Sequence, residues 1–323
     1  MLKAYWYRPG QPVELLTEAS RFRAHLTEGA GLLWVDIGEP DDADIECLLE
    51  CFGLHPLTIE DCILPNTRPK VEVFDHYAFL VAHGVGHDVQ DGGQLVPREL
   101  DICVGKNFLI TVHGEPLESI SKDLSRVERQ SPIIMRESDF LLYAVLDSLL
   151  ETFFPIIDEV NDRVDDLEQQ LLGDARDSHI RDILNIQSHV IKLRRILTPQ
   201  RDVVGLLQRG DIPWILPATQ AYFRDLYDRF LRMSDLVDGC REIATTLLEA
   251  HAMINNNKLN EAMKVLTVLA SFMVPMTLIA SIYGMNFDFQ PEYRWRWGYP
   301  FAWLLMLVSA GGMFWYVKRR RWL

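Results

Sequence analysis

Hydrophobicity is unevenly spread along this chain. Two stretches toward its C-terminal end, Val265 to Phe287 and Gly298 to Val317, hold no Asp, Glu, Lys or Arg. A helix needs about 20 apolar residues to cross the hydrocarbon core of a bilayer, so each stretch is long enough to cross once. About ten residues separate them, which predicts a helical hairpin with a short exposed turn. Lys318-Arg319-Arg320-Arg321 follows the second stretch directly. By the positive-inside rule this end is cytoplasmic. Two crossings then put the N-terminal part on the same side and face the turn outward.

Upstream the pattern changes period. Leu32 to Ile37, Tyr77 to Val81 and Asn107 to Val112 are short runs rich in β-branched and aromatic residues, bounded by Gly, Pro or Asp, and read as strands. Asp41 to Cys51 carries Ile45, Leu48, Leu49 and Phe52 at helical spacing and stops at Gly53; Pro56 to Ile63 makes another short helix. A sheet covered by helices follows for residues 1–135. From Asp139 no strand signal remains. One helix is predicted from Asp139 to Leu172, kinked at Pro155 and broken at Gly173-Asp174, and a second from Ala175 to Leu197, before Pro199. These fill a helical hairpin over 136–217, packed on the sheet. A third helix starts near Ala218 and meets no proline until Pro275. From Ala218 to Ile282 it would be roughly 97 Å long. Such a helix reads either as a mechanical link into the membrane or as a coiled-coil spacer. It divides into a stalk over 218–262 and a membrane helix over 263–283. An outer loop over 284–298, a second membrane helix over 299–317 and a basic tail over 318–323 complete the order.

Charge and cysteine usage narrow the chemistry. The 323 residues are 48% apolar and 24% charged, with a net charge of -14 although the membrane edge is basic. The acid therefore lies upstream, as in Asp158, Glu159, Asp162, Asp165, Asp166 and Glu168, a solvated helix face. Such a surface attracts cations and repels nucleic acid. Cys47 and Cys51 stand i, i+4 on a helix, poor disulfide geometry, and read as reduced thiols. Met1 to Trp6 lacks the apolar stretch of a signal peptide, so the hairpin is expected to target the chain. No GxxxxGK loop is present, Gly84-Val85-Gly86 lacks the third glycine of a dinucleotide fingerprint, and no organic cofactor or enzymatic site is expected. His83 and His87 lack a Glu partner in the sequence pattern and read as histidines at a strand end and turn. Trp295 and Trp297 with Arg294 and Arg296 read as an interfacial anchor.

Several segments together resemble a known family. They are Tyr283-Gly284-Met285-Asn286-Phe287, Pro291-Glu292, Trp297-Gly298-Tyr299-Pro300 and Lys318-Arg319-Arg320-Arg321-Trp322-Leu323. With Phe52-Gly53-Leu54-His55-Pro56-Leu57, Glu60-Asp61, Arg68-Pro69-Lys70-Val71-Glu72, Phe223-Arg224-Asp225 and Glu261 to Thr267, they look like the CorA family of magnesium and cobalt transporters, in the expected order. Gln290 and Tyr293 flank Pro291-Glu292 where Met and Leu are usual. The resemblance implies a homopentameric funnel in the inner membrane of the cell, both termini cytoplasmic. The first span lines the path and the second faces lipid.

It also implies roles for named residues. Mg²⁺ gives up water reluctantly, so an entrance can hold the hydrated ion through neutral acceptors. Gly284, Met285 and Asn286 would form that filter, with the Asn286 carbonyl in a ring and Gly284 permitting a tight turn; an interfacial Asn that caps the helix is the other reading. Below it, Asn260, Met263, Leu266, Thr267, Ala270, Val274, Thr277 and Ser281 would line the pore, although such small and hydroxyl residues also pack membrane helices together. By resemblance Asp61 and Asp225 meet across subunits on a regulatory Mg²⁺, with Glu60 and Asp147 at a second site; as isolated residues they read as solvated carboxylates. The expected transport is Mg²⁺, with Co²⁺ and Ni²⁺ as further cargo, and a zinc carrier of the same family is the alternative.

Overall fold

The computed structural model describes residues 2–16, 20–29, 31–64, 68–88, 94–129, 135–173, 177–285 and 295–320. It contains strands β1 (Leu2–Tyr7), β2 (Glu14–Leu16), β3 (Leu32–Gly38), β4 (Lys70–Val73), β5 (Tyr77–Asp88), β6 (Gln94–Gly105) and β7 (Phe108–His113). The helices are α1 (Ser20–Glu28), α2 (Asp42–Phe52), α3 (Pro56–Ile63), α4 (Glu118–Glu128), α5 (Ser138–Glu151), α6 (Phe154–Gly173), α7 (Asp177–Leu207), α8 (Pro217–Tyr283) and α9 (Gly298–Arg319). The chain forms two compact units, Met1–Leu247 and Leu248–Leu323.

In the first unit the seven strands form one sheet in the order β2-β1-β3-β7-β6-β5-β4. Among the described residues, only β3 and β7 pair parallel. Alternation along the strands sorts the side chains. Trp6, Leu33, Val35, Phe79 and Ile110 point to a core shared with Phe22 of α1, Leu48 and Phe52 of α2 and Ile59 of α3. The opposite face is covered by α5 and α7, which touch β5 and β6. With both faces buried, β3 reads as the near-continuous apolar run expected of a central strand. Its one charged residue, Asp36, accepts from Thr111 Oγ1 at 2.6 Å, which in turn accepts from Trp34 Nε1 at 3.1 Å.

The predicted strands and short helices recur with longer bounds. Asp41 caps α2 through a reciprocal box with Asp44, and Gly53 ends it at φ 63°, donating to Leu48 and Leu49. The 34 residues from Ser138 to Leu171 are long and apolar enough to cross a membrane, yet 61% of their most apolar stretch is buried within the unit. The chain breaks at Thr152-Phe153 and restarts with Pro155 in the first turn of α6, where a missing N–H costs nothing.

The predicted end of the second long helix at Leu197 is wrong. Helix α7 runs through Pro199 to Leu207. Its extra turns bury Val203, Val204 and Leu207, and Gln200 Oε1 accepts the His83 N–H at 2.7 Å. That packing outweighs the one helical hydrogen bond that Pro199 cannot donate. The start of α8 is tied to α5, since Asp139 Oδ2 accepts the Leu216 N–H at 2.9 Å.

In the second unit none of the most apolar stretch of α8 is fully buried, and only 11% of that of α9. Helix α9 covers one stripe, Gly298, Ala302, Met306, Ser309, Met313 and Val317, and exposes Trp303, Leu304, Leu307, Val308, Phe314 and Trp315. Asn286 and the rest of the expected outer loop through Arg294 lie outside the described residues, as do Asp174, Ala175 and Arg321 to Leu323.

Candidate ion path and regulatory carboxylates

The C-terminal part of α8 has two unlike faces. At 100° per residue, Asn260, Met263, Leu266, Thr267, Ala270, Val274, Thr277 and Ser281 fall within an arc of about 120°. All eight are exposed. The partly covered positions, Val268, Ser271, Phe272, Pro275, Met276 and Ile279, fall on the other side. Thr267 Oγ1 donates to Met263 O at 2.7 Å and Thr277 Oγ1 to Met273 O at 2.8 Å, so neither hydroxyl is left unsatisfied in an apolar setting. Their oxygen lone pairs remain able to accept from water. Helix α8 ends where Gly284 N–H meets Ala280 O at 2.9 Å. Gly284 lies in a turn, without positive φ. A side chain there would instead sit 3.3 Å from the Ala280 carbonyl. Met285 follows, exposed.

The four expected metal-binding carboxylates occupy two places. Glu60 and Asp61 lie at the end of α3, Glu60 exposed and Asp61 half-buried. Asp61 Oδ2 holds Lys70 Nζ at 2.7 Å, and the same ammonium lies 2.8 Å from Glu72 Oε1. Burial alone would lower the lysine pKa, but the hydrogen bonds that Lys70 donates to Asp61 and Glu72 outweigh it and the net shift is upward. Asp147 of α5 is ion-paired to Arg229 of α8. Burial holds the Asp147 pKa above the ordinary carboxylate value against the pull of Arg229, with Glu151 and Asp225 adding to the rise. Asp225 lies one turn before Arg229, exposed, and shares with Asp147 the field around Tyr143. The fold thus brings Asp147 and Asp225 together. Among the described residues, no three His, Cys, Asp or Glu side chains converge to hold a metal within one chain.

Sequence reasoning missed Lys70, Glu72 and Arg229 as partners of these carboxylates. Strand alternation puts Lys70 and Glu72 on one face, but the pairing of Lys70 with Asp61 and of Arg229 with Asp147 crosses between elements and leaves no spacing to read. It also misplaced His83. The strand β5 continues through Gly84 and Gly86, so His83 is a buried strand residue, paired in register with Glu99. Its Nε2 is 3.6 Å from Glu99 Oε2, which supplies the glutamate partner thought to be lacking. Two residues on, Asp101 is buried with Oδ1 unpartnered, beside a cavity of about 420 Å³ that Asp61, His83 and Glu99 also line.

Similarity to known proteins covers nearly the whole chain. A cobalt/magnesium transport protein CorA of Thermotoga maritima is 33% identical over 292 residues, 90% of this chain and 83% of the relative. A putative metal ion transporter of Bacillus subtilis, YfjQ, is 31% identical over 288 residues, 88% of each. The complete structure of the CorA magnesium transporter from Methanocaldococcus jannaschii superposes with a TM-score of 0.84 at 24% identity, covering 100% of this chain and 99% of the other. That likeness establishes the fold: an α/β unit, long helices and two C-terminal apolar helices. Residues 29–319 match the family described as CorA-like Mg²⁺ transporter protein, and the chain belongs to that family.

Proposed function

We propose that this CorA-family divalent cation transporter conducts Mg²⁺ down its electrochemical gradient through a pore lined by α8, and that it closes when cytosolic Mg²⁺ binds between subunits. The supporting observation is the two-faced end of α8, whose stripe from Asn260 to Ser281 is uncovered while the opposite side is partly covered. One such helix cannot enclose a path, so the chain acts as a ring, a homopentamer by the family resemblance, with α9 toward lipid. Asn286, with Gly284 and Met285, would form the outer filter, presenting neutral oxygen to a hydrated ion. The membrane potential gives a divalent ion about 4.6 kcal/mol per 100 mV, so no nucleotide is required. Neither apolar run contains a carboxylate or histidine, the groups a proton-coupled carrier would bury.

For closure, Asp61 of one subunit would face Asp225 of its neighbour across a Mg²⁺, with Glu60 and Asp147 forming the second site. The donor chemistry fits, since Asp61 and Glu72 already hold a cation, the Lys70 ammonium. A bound divalent ion would turn repulsion between opposed carboxylates into a bridge and stabilise the closed ring by its preference for that state. Flux of Mg²⁺, Co²⁺, Ni²⁺ and Zn²⁺ into liposomes holding the purified protein tests the reading. Asn286→Ala is expected to cut Mg²⁺ flux at least about tenfold, the factor of a lost interaction of about 1.4 kcal/mol, with the oligomer intact. Wild-type flux in that variant would remove Asn286 from the filter, and zinc flux without magnesium flux would favour the transition-metal alternative.

A further inference from the structure

We infer that Lys70 is a tethered competitor for Mg²⁺ at Asp61, with Glu72 as the carboxylate that receives its ammonium when the metal binds. The inference rests on reading Asp61 as a regulatory ligand. Lys70 Nζ lies 2.7 Å from Asp61 Oδ2 and 2.8 Å from Glu72 Oε1, so one ammonium bridges two carboxylates. A divalent ion takes carboxylate oxygen at about 2.1 Å and carries two charges. It cannot share Oδ2 with an ammonium at hydrogen-bond distance, because both seek the same lone pairs and repel each other.

Lys70 is held where it competes. Pro69 before it is buried, its Nζ lies 5.6 Å from the centre of the Phe79 ring, and its side chain is only 30% exposed. The competing charge is therefore present at fixed, high local concentration, whatever the salt in the medium. The exchange leaves neither the ammonium nor Asp61 without an opposite charge. Before binding, Lys70 neutralises one of two carboxylates; afterwards the divalent ion takes Asp61 and the ammonium keeps Glu72. Lys70 thus sets the Mg²⁺ concentration at which the sensor fills, and Glu72 lowers the cost of releasing Asp61.

The two partners must then act with opposite sign. Lys70→Met keeps the stem against Phe79 and removes the charge; the Mg²⁺ midpoint should fall by about fivefold, the low end of ordinary coupling between sites. Lys70→Arg should stay near wild type. Glu72→Gln leaves the ammonium with Asp61 alone, and its midpoint should rise. Two readouts apply to the full-length protein: Mg²⁺ protection against chymotrypsin, which does not cut at lysine, and Mg²⁺ inhibition of flux in liposomes. A common shift of Lys70→Met and Glu72→Gln in the same direction would mark a merely structural effect and overturn the competition. So would an unmoved Lys70→Met midpoint in a protein whose Asp61→Asn variant loses the response. Should Asp61→Asn itself respond to Mg²⁺ like the wild type, the regulatory reading of Asp61 fails first and takes the inference with it.

Discussion

A carboxyl group taken out of water keeps its proton unless something else stabilises the charge, and Asp101 has little to help it. Burial pushes its pKa up to about 8, Glu99 and Asp61 add to the rise, and Lys70 opposes it. The unfolded chain releases that proton near the ordinary value of 3.8, whereas the folded chain holds it until about 8. Between these limits the native state binds more protons, so stability falls as pH rises. The contribution of Asp101 is whole below the unfolded value and lost as pH climbs through the folded one. Asp101→Asn, neutral throughout, should melt with the wild type near pH 4, melt higher near pH 8 and show a flatter slope between. An unchanged slope in thermal unfolding across that range would place the charge elsewhere. Nothing in the alternation of Leu100-Asp101-Ile102 announces this, because a strand pattern shows which face a residue takes and not what lies over it.

The helices were legible where local signals are strong. The box at Asp41 and Asp44, the proline at the start of α3 and the glycine after α2 each act within a few residues, and the predicted short helices recur at those places. Gly53 is the clearest case, since at its φ of 63° a Cβ would crowd the following carbonyl. Gly53→Ala should lower stability by about 1–2 kcal/mol, read as a fall of about 2–8 °C in melting temperature, with Gly53→Asn milder. Equal melting of Gly53→Ala and wild type would show that the cap carries no strain. Elements decided by distant packing were not legible. Strands β1, β2, β4 and β6 and helices α1 and α4 went unread, and Pro199 suggested an end that α7 does not obey, because buried neighbours reached from far along the chain hold it. At the candidate site, the stripe of small and hydroxyl residues on α8 was readable from spacing, while its place along a pore came only from the family resemblance. The Lys70 and Arg229 counter-charges were not, because pairing across elements has no fixed spacing.

At the scale of the whole molecule, the informative contrast is between an acidic chain and a basic end. A net charge of -14 coexists with Lys318-Arg319-Arg320-Arg321 directly after an apolar helix, so the cations are concentrated where they can hold a segment on one side of a membrane. Helices α8 and α9 expose Leu266, Val274, Leu278, Leu304, Val308 and Phe314, apolar surface that water would penalise and lipid or neighbouring copies would cover. If both helices cross, the segment between them faces outward, and the five cysteines, all before residue 241, lie inside. The wild-type chain in intact cells should therefore resist a membrane-impermeant maleimide. Gln290→Cys should be labelled, and a cysteine appended after Leu323 should not. Permeabilised cells should allow labelling of the appended cysteine. Labelling of the appended cysteine in intact cells, with protection at residue 290, would invert the orientation and move the Asp61 and Asp225 carboxylates to the side where they cannot read cytosolic Mg²⁺.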